Sequence, residues 1–62
     1  MTGKAVNLKE WKEKYPNKCA IVKLNPDKET GIIIMQTAAR AKSMLEGTKE
    51  LQYGSDPDYI VI

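Results

Sequence analysis

Apolar and polar positions along the chain follow two rhythms. Over residues 19–24, Ala20, Val22 and Leu24 alternate with Cys19, Ile21 and Lys23, and Tyr59-Ile60-Val61-Ile62 ends the chain as an aromatic and β-branched run. Such stretches predict β-strands. A third run, Ile32-Ile33-Ile34-Met35, holds three successive β-branched side chains, which are stiff at χ1 and suit a pleated surface better than a helix. It is apolar at both parities, Ile32 and Ile34 toward one side and Ile33 and Met35 toward the other. A strand of that kind needs cover on both faces. Residues 31–51 therefore read as the stretch around which the rest is organised: a strand that passes through Gln36 and Thr37 into a helix lying back on its own sheet.

The second rhythm is helical. At ~100° per residue, Ala38, Ala41, Met44, Leu45, Thr48 and Leu51 fall on one arc of roughly 140°, with Lys42, Ser43, Glu46, Lys49 and Glu50 opposite. The spacing predicts a helix over 38–51, with Thr37 as its N-cap. Gly47 inside it costs about 1 kcal/mol against Ala. Gly54 is placed for the C-cap region, and Pro57 forbids continuation. A shorter helix is predicted over 6–14, with Asn7 as N-cap, Glu10 three residues on, and Val6 and Trp11 in the staple positions. Leu8, Trp11 and Tyr15 give it a narrow apolar edge, and Pro16 stops it. Between the first two strands, Asn25-Pro26-Asp27 marks a turn, with Gly31 placed to supply a positive φ.

These elements run α-β-β-α-β, which predicts a single α+β domain over residues 1–62 with a three-stranded, mainly antiparallel sheet. Setting the last strand beside residues 19–24 makes that strand central, order 2-1-3, whereas setting it beside residues 32–35 gives a mixed sheet; the general excess of antiparallel pairs favours the first. The main helix covers one face; the first helix and Trp11 are left to cap an edge or cover the other. Residues 32–35 then form an edge without Lys or Pro, of the kind that invites another chain. From this follows an expected homodimer or obligate protein partner, with Trp11, Ile32, Ile33, Ile34 and Met35 as the contact surface.

Composition narrows the chemistry more than it names it. In 62 residues, 42% are hydrophobic and 29% charged, and ten Lys and Arg against eight Asp and Glu leave +2. With no His, there is no imidazole base and no ordinary zinc ligand set. The four glycines stand singly, so none forms a phosphate cradle. Carboxylate pairs exist at Glu10/Glu13 and Asp56/Asp58, on an exposed helix face or in a turn, and Asp27 and Glu29 share a loop, but neither loop has the acids of a calcium site. The lone Cys19 fits a reducing compartment and reads as a small buried apolar residue. These residues predict a protein that is no enzyme and has no cofactor, no metal and no evident small-molecule substrate, working as an interaction or regulatory module. The alternative is weak electrostatic nucleic-acid binding. It would use Lys9, Lys12, Lys14 and Lys18 on and after the first helix and Arg40 and Lys42 on the second, with tyrosines for stacking. Against it stand the neighbouring Glu10, Glu13, Glu46 and Glu50 and the single Arg. No run approaches the ~18 apolar residues of a membrane span, and residues 1–4 lead into no signal-peptide core. A cytoplasmic location is the expectation.

Trp11-x-x-x-Tyr15, then Lys18-Cys19-Ala20-Ile21-Val22, an alanine-rich helix and a closing Asp58-Tyr59-Ile60-Val61-Ile62 together resemble a family of small uncharacterised prokaryotic α+β domains. The resemblance covers most of the chain. It implies the fold and carries no activity.

Overall fold

The computed structural model describes residues 5–62; the reading of residues 1–4 as free of a signal segment lies outside them. The chain forms β1 (Ala5–Asn7), α1 (Leu8–Lys14), β2 (Lys18–Leu24), β3 (Thr30–Ala38), a 3-10 turn (Ala39–Ala41), α2 (Lys42–Tyr53) and β4 (Tyr59–Val61). The α+β class agrees with the sequence pattern, but the sheet has four strands rather than three, all antiparallel, in the order β1-β3-β2-β4. The additional strand is β1, whose residues Ala5, Val6 and Asn7 pair with Ile32, Gly31 and Thr30. Three residues cannot display a period. Val6, expected to begin the first helix, is instead held by the edge that β3 offers it.

Burial centres on β2, not on residues 31–51. Cys19, Ala20, Ile21 and Val22 are all buried, because β2 lies between two strands and under a helix on each face. On one face Ala20 and Val22 pack with Trp11 of α1, ringed by Val6, Leu8, Tyr15, Ile33, Ile60 and Ile62. On the other, Cys19 and Ile21 pack with Leu45 of α2, flanked by Tyr53 and Val61. The first helix thus covers the second face of the sheet.

The opposite placement of the helices follows from topology. β1 and β2 run the same way with β3 between them, and β3 and β4 run the same way with β2 between them. Both crossovers step in the same direction across the sheet but start from strands of opposite direction. The right-handed preference of such connections then sends α1 to one face and α2 to the other.

Local chemistry fixes the joints. Asn7 caps α1, its side chain accepting the Glu10 N–H at 2.9 Å. Pro16 follows Tyr15, whose backbone has left the helical region (φ −127°, ψ 64°). Thr37 does not cap α2: it sits inside β3 opposite Cys19, and α2 starts after Ala41 with no side-chain cap. β3 continues through Gln36, Thr37 and Ala38 because the start of β2 pairs with all three. Gly54 closes α2 at φ 58°, its N–H donating to Glu50 O at 3.0 Å. In the β2–β3 loop the positive φ belongs to Lys28 (59°), not Gly31. Gly31 is needed for space instead, since a Cβ there would collide with Val22 Cγ1 and lie 2.7 Å from the Lys23 carbonyl oxygen.

Candidate functional site

A bulge sorts the β3 side chains. Ile21 pairs with Met35 and Val22 with Ile33, so Ile34 is the extra residue on β3. Directly paired residues share a face. Ile33 therefore joins Val22 on the α1 side, while Ile32 (opposite Lys23) and Met35 (opposite Ile21) lie on the α2 side. The simple alternation expected from the sequence is broken at Ile34. Of the five residues expected to form one contact surface, Trp11 and Ile33 belong to the α1 core, and Ile32 is half-buried. Only Ile34 and Met35 are exposed, each at 43%.

Two residues expected in the core join them outside it. Met44 is 70% exposed and Leu51 90%. Helix α2 settles through Leu45 onto β2, with Tyr53 stacked on Tyr59 of β4 at 3.9 Å between centroids and 9° between planes. Its Glu46, Lys49 and Glu50 flank lies along Tyr59, Ile60 and Val61. At ~100° per residue, Met44 and Leu51 fall within about 20° of each other on the other flank, away from β4 and toward β3. The aromatic pair decides this rotation of the helix. Periodicity grouped Met44, Leu45 and Leu51 on one arc but could not say which part of the arc would meet the sheet. Ile34 and Met35 of β3 and Met44 and Leu51 of α2 are thus four large apolar side chains left exposed. β1 pairs with β3 only as far as Ile32, and among the described residues no strand borders the outer edge beyond it.

Five of the ten cations gather at one end of the sheet. Lys18 pairs with Ala38, and the Ala39 N–H donates to Asn17 O at 2.8 Å, so β2 begins where β3 ends. Helix α1 finishes and α2 starts at this same end of the sheet. Lys12, Lys14, Lys18, Arg40 and Lys42 are thereby gathered there, with Glu13 as the acidic neighbour on α1. The Lys14 and Lys18 ammonium groups stand 5.6 and 5.3 Å from the Tyr15 ring centroid, and Lys12 Nζ donates to Lys18 O at 2.8 Å. Among the described residues the one ion pair is Lys49–Glu50, at 3.7 Å, so none of these five cations is in direct contact with a carboxylate. The opposite end carries Asp27 and Glu29 in the β2–β3 loop and Asp56 and Asp58 before β4. Lys9, the sixth expected nucleic-acid contact, lies at that far end in a shallow depression with Lys28 and Glu29.

Cys19 is free and buried in the core under α2. Among the described residues no three His, Cys, Asp or Glu side chains come together as a metal-holding group, and no helix is long and apolar enough to cross a membrane. Asp27 is the one carboxyl with a clear perturbation, held below its ordinary 3.8 first by the Thr30 N–H, then by the Glu29 N–H and the Thr30 hydroxyl. These bonds close a turn. No protein-family model matches this chain, and neither a curated protein nor a solved structure matches it.

Proposed function

We propose that this protein is a small non-enzymatic interaction module that acts by contact, pairing with a second copy of itself through the β3 side of the molecule. The observation that carries the reading is the exposure of four large apolar side chains, Ile34, Met35, Met44 and Leu51. A domain of this size has few large apolar side chains to spare, and four left in water argue for a covering surface. A two-fold axis would let one patch serve both partners.

Light scattering across a concentration series tests the proposal. The expected result is a dimer that dissociates on dilution. Leu51→Lys and Met35→Lys should each weaken it at least about tenfold, roughly 1.4 kcal/mol, with unchanged circular dichroism. A wild-type chain that stays monomeric throughout, or a dimer indifferent to both substitutions, would sink it. Ile33→Lys is not a usable probe, because Ile33 packs against the Trp11 core and its replacement would damage the fold.

A further inference from the structure

We infer that the basic end of the sheet is a binding site for the phosphodiester backbone of nucleic acid, read without regard to sequence. The inference does not depend on the β3-side pairing surface. Lys12, Lys14, Lys18, Arg40 and Lys42 come from both helical layers and the central strand, so they cross the end of the molecule from the α1 side to the α2 side. Like charges gathered at one end repel one another, and none of the five is held in a contact ion pair with a carboxylate. Two of the ammonium groups instead rest against the Tyr15 ring, and a third on a backbone carbonyl. Those contacts hold the charges at the surface without cancelling them. A polyanion with regularly spaced phosphates supplies what the site lacks, and releases counterions as it binds.

The chemistry of the cations sets the mode. Four of the five are lysines, which act on phosphate as point charges and lack the bidentate fork that reads guanine. The Tyr15 ring carries Lys14 and Lys18 over it and packs at 5.3 Å against Trp11, so it supports the cations in place of stacking on a base. The acidic side chains of the opposite end would orient the molecule, basic end first, as it approaches a polyanion.

Fluorescence anisotropy with a labelled mixed-sequence oligonucleotide of about 20 nucleotides, titrated between about 50 and 200 mM salt, tests this. Five phosphate contacts predict a slope of log K against log salt near about −3.5 for a single strand and about −4.5 for a duplex. Combining Lys12→Gln, Lys14→Gln and Lys18→Gln should weaken binding at least tenfold and reduce the slope by about 2 to 3. Combining Lys9→Gln, Lys23→Gln and Lys28→Gln removes the same charge elsewhere and should leave both quantities unchanged. Trp11 fluorescence checks that each variant is folded. Equal losses from the two triple variants would reduce the effect to net charge and overturn the site, as would no binding at the lowest salt. Strong preference for one oligonucleotide sequence would overturn the backbone mode. Capture by phosphatidylserine vesicles without oligonucleotide binding would assign the surface to membranes instead.

Discussion

At the scale of single residues, two glycines of opposite sense make the sharpest test of the fold. Gly31 has no room for a side chain: Val22 and the Lys23 carbonyl occupy the place of its Cβ. Gly31→Ala should destabilise the domain by about 1–3 kcal/mol through forced movement of β2. Gly47 lies within α2 with open space around it and no positive φ. Gly47→Ala should therefore stabilise by about 0.5–1 kcal/mol, mainly by restricting the unfolded chain. Urea denaturation of the two variants checks both signs. The cost of Gly47 in a helix was legible in the sequence, but the crowding at Gly31 was not, since a gap beside a glycine is made by residues distant along the chain.

At the scale of elements, the β2–β3 connection shows a turn built from side-chain hydrogen bonds. Asp27 accepts the Glu29 and Thr30 N–H groups at 2.9 Å each, and Asn25 Nδ2 donates to Thr30 Oγ1 at the same distance. The lowered Asp27 pKa sets a sign. Its contribution is present above the ordinary carboxyl value and is lost as pH falls through the lower folded value. Urea midpoints measured between about pH 5 and pH 2 should fall less steeply for Asp27→Asn than for wild type, because that variant has no proton to take up there. The turn was legible in Asn25-Pro26-Asp27. The extent of its flanking strands was not: β3 runs to Ala38 and displaces the start of the second helix because β2 supplies partners for Gln36, Thr37 and Ala38.

At the scale of the whole molecule, β2 joins two half-cores. Trp11 closes one and Leu45 the other, and alternate residues of the same strand serve both. A domain of this length has about 3–9 kcal/mol of stability in all. Trp11→Ala should remove about 3–5 kcal/mol and Leu45→Ala about 2–5. Because β2 is shared, each variant should still unfold in one transition. Circular dichroism in urea with separate transitions for the two faces would contradict a shared core. The same topology brings Lys18 beside Arg40 and Lys42, and so makes a basic end from cations that look interspersed along the chain.

The kinds of element and most of their joints were legible in the residues alone: the Asn7 cap, the Pro16 stop, the Gly54 terminus, three strands and two helices. Those are local matters, decided by backbone sterics, side-chain branching and hydrogen bonds a few residues long. The antiparallel preference also brought β2 beside both β3 and β4. Long-range packing settled the rest: three residues before α1 become a fourth strand, Ile34 bulges, and the helices take opposite faces. It alone turned α2 so that Leu45 is buried while Met44 and Leu51 face water. The physical reason is common to all four. Each depends on a partner surface far away in the chain, and a hydrophobic pattern records that a side chain prefers burial without naming what will bury it.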